Sequence, residues 1–165
     1  LGETVAVRFV HGAGDELTLA PLPGSTAPLL LLDLPDDAPA QTAWAPGFYA
    51  VTVEAGPAGR PPRSSNSLPL ALSPRVTSVT FAAPNVTVVA RPQIRPDQRA
   101  RLLLGEAELP AAPHPAATDT LTFDASSVPA ADYVARLRVD GVDSLPAVLS
   151  DTGLAFDPAQ RVIIP

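Results

Sequence analysis

Cysteine, methionine and lysine are all missing from the 165 residues, and aromatic side chains make up only 5%. Without cysteine there is no disulfide framework, no thiolate nucleophile and no thiolate metal site, and the redox compartment is left open. Without lysine, all 11 basic residues are arginine; they face 17 acidic residues, for a formal charge of −6. No basic run interrupts that acidity, so the footprint expected for a phosphate backbone or an anionic membrane is missing. The longest apolar run, Leu29 to Leu32, is far short of the roughly 18 residues that span a bilayer, so the mature chain is expected to be soluble. The opening Leu1-Gly2-Glu3 has neither the methionine of an initiator nor the charged and apolar regions of a signal peptide, which predicts a processed chain or one excised from something longer.

What is abundant is proline. There are 21 prolines and 10 glycines, and proline alone is well above its average usage of roughly 5%. Punctuation at that density excludes long helices. Hydrophobic residues still make up 46% and charged ones only 17%, which is enough apolar material for a core and argues against disorder. The chain contains one pattern twice. Pro46-Gly47-Phe48-Tyr49-Ala50-Val51-Thr52-Val53 is followed after a long loop by Ser65 to Leu72, and Pro129-Ala130-Ala131-Asp132-Tyr133 to Val139 is followed by Val142 to Leu149. Tyr49 and Tyr133, 84 residues apart, are equivalent in this alignment and predict two domains, 1–73 and 74–165.

Both copies alternate with a period of two. Tyr49, Val51 and Val53 lie on one side, as do Tyr133, Ala135, Leu137 and Val139, as in half-buried antiparallel strands. Helical spacing of Val134 and Leu137 is the rival for the second copy, and the β-branched first copy decides for strand. Asp140-Gly141 between two alternating runs is a two-residue hairpin signal, because a type I′ turn needs positive φ at both central residues. Further strands are expected at Thr4 to Val10, Glu16 to Leu19, Leu29 to Leu34, Val76 to Phe81, Val86 to Ala90, Arg101 to Leu104, Thr120 to Phe123 and Arg161 to Ile164. Many short strands separated by turn clusters indicate an all-β chain of two sandwiches, each of about seven strands.

Catalytic candidates are few. His11 and His114 are expected to be exposed loop residues, and no nucleophile elbow, H-E-x-x-H, Walker loop or G-x-G-x-x-G is present. No enzyme activity and no cofactor are therefore expected. Asp15-Glu16, Asp36-Asp37 and Asp140 with Asp143 have carboxylates that hard cations favour, without EF-hand spacing, and read as turn residues; no metal site is assigned. Arg60 and Arg63 in one Pro-rich loop, and Arg95, Arg99 and Arg101 around Pro96, concentrate positive charge. These loops are candidate protein-contact segments through guanidinium pairing, with Arg99 and Arg101 otherwise serving as outward residues of an edge strand. The sequon Asn85-Val86-Thr87 falls inside a predicted strand and is read as accidental. Trp44 is expected to cover one end of the first core. Tyr49 and Tyr133 enter the penultimate strand of each copy, the position of a tyrosine corner, whose hydroxyl caps neighbouring backbone.

Pro46 to Val53 and Ser65 to Leu70 resemble the closing strands of IPT/TIG-type immunoglobulin-like domains. Leu68 to Val76, Arg95 to Gly105 and Tyr133 to Ser144 are similar to the carboxy-terminal region of bacterial contractile injection system cap proteins. Nothing in the chain resembles the amino-terminal terminator domain of those proteins, and Ala130-Ala131-Asp132 replaces the usual Pro-Gly entry in the second copy. The resemblance implies two tandem IPT/TIG-type sandwiches acting as a structural module of a phage-tail-like particle. It implies other particle subunits as partners, a cytoplasmic origin before particle release, and a monomeric fragment of a hexameric parent. The competing readings are an adhesion or carbohydrate-binding sandwich of a surface protein and an accessory domain of an enzyme.

Overall fold

A computed structural model describes residues 3–26, 28–57, 59–150 and 153–165. Strand accounts for 57% of the chain and helix for 6%, so the protein is all-β, with several antiparallel sheets. The chain divides into two compact units, one of residues 1–43 and 48–71, the other of residues 44–47 and 72–165.

The described residues of the first unit form one antiparallel sheet. Its strands are β1 (Glu3–His11), β2 (Glu16–Leu19), β3 (Gly47–Pro57), β4 (Arg63–Ser64) and β5 (Leu68–Leu72), ordered β2-β1-β3-β4 with β5 also pairing β3. Alternation along β1 buries Val7, Phe9 and His11, opposite Val53, Val51 and Tyr49 of β3. The Phe9 and Tyr49 rings meet edge to face, with centroids 6.5 Å apart, the arrangement aromatic quadrupoles favour. Five strands rather than about seven are present among the described residues, and the expected strand Leu29 to Leu34 does not form. The described residues of 20–35 instead make an irregular strap, flanked and broken by Pro21, Pro23, Pro28 and Pro35, which cannot donate to a ladder. The strap holds itself through Leu22 N–H to Leu31 O at 2.8 Å and Leu31 N–H to Ser25 Oγ at 3.0 Å. It leads into a six-residue helix, α1 (Ala38–Ala43). Asp37 Oδ1 accepts the Ala40 N–H at 2.9 Å, the side-chain cap an N-terminal turn requires.

The second unit has β6 (Arg75–Ala82), β7 (Asn85–Ile94), β8 (Ala100–Leu104), β9 (Ala107–Pro110), β10 (Thr118–Asp124), β11 (Ala131–Val139), β12 (Val142–Asp143), β13 (Ala147–Ser150), β14 (Gly153–Phe156) and β15 (Arg161–Ile164). One sheet is ordered β10-β7-β6, and a second β12-β11-β8-β9 with β15 also on β11. Their inward rows merge in one core that includes Val86, Val88, Leu102, Phe123, Leu137 and Val139. Each such burial contributes about 1.5–3 kcal/mol, which makes this core the main stabilising feature of the unit. The β11–β12 turn has Asp140 at φ 47° and Gly141 at φ 85°, both positive as its sequence requires. Trp44 is buried and belongs to this second unit, not to the end of the first. β8 lies between β11 and β9, so Arg101 is on an interior strand, not an edge.

Candidate functional site

Burial in the second unit leaves two polar arrangements to be explained. The first sits where the closing strand is interrupted. β12 pairs with β11 at Arg138 and Val139, β15 pairs with β11 at Ala131 to Val134, and the described residues of 145–157 leave the sheet between them. At the neck of this excursion Ser144 and Gln160 are almost completely buried. Leu137 N–H donates to Ser144 Oγ at 3.0 Å, Ser144 donates to Gln160 Oε1 at 3.1 Å, and Gln160 Nε2 donates to Leu145 O at 2.7 Å. Ser144 N–H also reaches Leu137 O at 2.7 Å, and Asp157 N–H reaches Pro146 O at 3.0 Å. These bonds replace the ladder that β11 loses at Leu137, so the buried backbone there stays satisfied.

Beyond the neck, among the described residues β13 and β14 pair with each other, Ala147 opposite Phe156 and Val148 opposite Ala155. Leu145, Leu154, Phe156 and, on β15, Ile163 are 72%, 79%, 72% and 68% exposed. Leu154 and Phe156 are two residues apart on one strand and share a face. A single exposed leucine is ordinary, whereas two large apolar side chains on one face of an exposed hairpin mark a candidate interaction surface.

The second arrangement is the outward face of β9, β8, β11, β12 and β15. Arg101 lies directly opposite Arg138 across β8 and β11, a repulsive pairing, and both guanidinium groups share Glu108, at 3.7 and 3.8 Å. Arg138 also binds Asp143 through two contacts, at 2.5 and 3.0 Å, and Arg136 approaches the same carboxylate at 3.7 Å. The hydrogen bond from Arg138 holds the Asp143 carboxyl below the usual carboxylate range, and Asp143 in turn raises Arg138. Arg161 pairs with Asp132. A groove of about 400 Å³ opens beside this network, lined by Arg99, Arg101, Glu108, Arg138, Asp140 and Gly141.

The other sequence candidates are dispersed. Arg63 lies on β4 and pairs with Glu3 at 3.2 Å, while Arg60 closes a turn through its N–H to Pro57 O. Arg95 N–H and Arg99 N–H are held by Gln98 Oε1 and Asp140 Oδ1, at 3.0 and 2.9 Å. Gln98, which sequence reasoning passed over, is buried and donates to both Pro46 O and Asp140 Oδ2. Asp140 is thereby a turn brace and Asp143 an arginine partner. Among the described residues no group of three or more His, Asp or Glu could hold a metal ion. His11 is buried at the end of β1, not exposed, because its strand continues one residue past the predicted end; its ring lies 4.9 Å from that of Tyr49. His114 is half-buried, with Nδ1 3.0 Å from Ala116 O. Tyr133 donates its hydroxyl to Pro129 O at 2.8 Å, and Tyr49 is buried between Phe9 and His11. Asn85 and Thr87 open β7 just after the Ala83-Pro84 turn.

In the first unit a groove of about 790 Å³ runs between Val5, Val53 and Ala55 on the sheet and Leu22, Pro23 and Leu30 of the strap. Among the described residues no helix is long and apolar enough to cross a membrane.

Residues 62–163 match the family model described as a domain of unknown function, DUF8756. The chain belongs to this family. The matched segment begins just before β4 and ends inside β15, so it contains the second unit's core, the Ser144–Gln160 neck and the hairpin beyond it. No curated protein matches the chain.

Proposed function

We propose that this protein is a non-enzymatic structural and interaction module in the carboxy-terminal region of a contractile injection system cap protein, built from two immunoglobulin-like sandwiches of the IPT/TIG type, the first of which contributes a single sheet among its described residues. The observation that carries the interaction reading is the division of labour in the second unit. Its buried polar side chains Gln98, Ser144 and Gln160 hold backbone in place, while Leu154 and Phe156 stand exposed on a hairpin fixed at its neck. That is how a fold presents a contact surface on a rigid scaffold. The Tyr133 hydroxyl on Pro129 O supports a tyrosine corner in the second sandwich. Placement in a cap protein rests on the resemblance of the β5–β6 junction, the lead into β8, and β11 with β12. In that setting the partners are other subunits of the particle, the protein is cytoplasmic until release, and the fragment is monomeric beside a hexameric parent. The carbohydrate-binding alternative is disfavoured by Trp44, whose ring is buried and cannot stack on a sugar.

The test is deletion of residues 62–165 from the full-length parent, followed by imaging of particles. Loss of assembly, docking or firing is the expected result; particles that assemble and fire normally would refute the structural role.

A further inference from the structure

Resting on the interaction-module reading, we infer that Arg99 and Arg101 seat the carboxylates of an extended acidic segment of a partner protein. Two grooves, of about 400 and 240 Å³, share these two residues in their walls. Ala100 between them is buried while both arginines are exposed, so their side chains leave one face of the chain where it enters β8. The smaller groove is lined by both arginines, His114 and the buried Gln98, with proline and alanine around them and no carboxylate in its described lining. Asp97, next to Pro96 in the turn, is exposed and outside that lining.

The fold fixes the base of this seat and leaves its guanidinium groups short of acceptors. Asp140 lies against Arg99, but its Oδ1 accepts the Arg99 backbone N–H at 2.9 Å and its Oδ2 accepts the Gln98 amide at 3.0 Å. Arg99 O in turn accepts the Asp140 N–H at 3.1 Å, and Ala100 O accepts the Ala111 N–H at 3.0 Å. Among the described residues the Arg99 guanidinium has no acidic partner. Arg101 reaches only Glu108, at 3.7 Å, and shares it with Arg138, which has Asp143 as well. Two guanidinium groups on a braced backbone are thus open to carboxylates from outside.

Spacing and surroundings select the occupant. Residues two apart on an extended chain are separated by about 6.5–7 Å, so a strand-like segment with acidic residues at alternate positions presents carboxylates at the spacing of Arg99 and Arg101. Pro110 lies directly opposite Arg101 on β9, and Pro96 and Pro113 also line the smaller groove. This apolar surface gives the segment's backbone and flanking side chains a contact that an inorganic anion lacks. A nucleic acid suits the site less well, because Glu108 and Asp140 line the larger groove and the chain carries a charge of −6.

Amide and arginine Nε shifts of the isotope-labelled 165-residue chain, titrated with a blocked peptide alternating glutamate and valine up to millimolar concentration, test this. Saturable shifts confined to residues 96–101 and 110–114 are expected, weakening with salt. The same peptide with glutamine for glutamate should bind about tenfold more weakly. Arg99→Gln and Arg101→Gln should each weaken binding about threefold and the double variant about tenfold. Arg91→Gln, the same charge change at an exposed position of β7, should leave it unchanged. Melting checks that each variant folds, and the two peptides on the parent chain decide independently of any variant. Absence of binding by the glutamate peptide overturns the inference, as does equal binding of the glutamine form or an equal loss in Arg91→Gln. An isomeric peptide with its glutamates side by side should bind more weakly; equal binding overturns the assigned spacing. Inorganic phosphate or a single-stranded oligodeoxynucleotide that binds these residues as tightly as the peptide also overturns the inference. None of these outcomes touches the particle-deletion experiment, so failure here and failure of the broader reading are separately visible.

Discussion

Replacing Gln160 with leucine removes an amide from a site that is 1% exposed while keeping side-chain size close. Three partners lose a bond: the Ser144 hydroxyl, which donates at 3.1 Å inside the protein, Leu145 O, which accepts at 2.7 Å where water has partial access, and Asp157 Oδ2, which accepts weakly at 3.4 Å. An orphaned buried polar group costs about 1–3 kcal/mol, whereas the wetter carbonyl costs less, so we expect a loss of about 2–3 kcal/mol after the gain from burying leucine. Ser144→Ala strips the acceptor from the Leu137 N–H, in the middle of β11, and should cost about 2 kcal/mol. Because the two variants remove one shared bond, the double variant should cost about 1 kcal/mol less than their sum. Urea unfolding followed by Trp44 fluorescence suits the measurement, since the single tryptophan is buried in the second unit. For a unit of this size the same loss lowers the melting temperature by about 10 °C. Gln160→Leu within about 0.5 kcal/mol of the parent, or strict additivity with Ser144→Ala, would refute the claim that these side chains replace the missing ladder.

Tyr133→Phe removes the hydroxyl from Pro129 O and should cost about 0.5–1 kcal/mol, measured as a shift of the same urea midpoint without a change of slope. Gly105 has φ 58°, and a Cβ there would lie 3.3 Å from the Tyr133 ring, so Gly105→Ala should destabilise by about 1–2 kcal/mol; a neutral variant would refute the left-handed conformation at this turn. Asp143 has its pKa lowered in the fold by Arg138. Its stabilising contribution is therefore complete above the unfolded value of about 3.9 and is lost as pH falls below it. Acid titration of melting temperature should be shallower on that limb in Asp143→Asn than in the parent.

Local pattern determined much of this protein. Period-two alternation identified β3 and β11, and the Asp140-Gly141 pair identified the β11–β12 turn, because strand faces and positive φ depend on neighbouring residues alone. Proline density excluded long helices for the same reason. The same local reasoning failed at Leu29 to Leu34, where an apolar run suggests a strand but flanking prolines and the absence of a ladder partner leave a strap. It failed again at His11, whose burial depends on Tyr49, 38 residues away. Gln98, Ser144 and Gln160 are unremarkable in sequence; only the tertiary structure places Gln98 beside Pro46 and sets Gln160 under the gap between β12 and β15. Pairing across such distances is decided by which backbone groups the fold would otherwise bury unsatisfied, and no window of sequence contains that information.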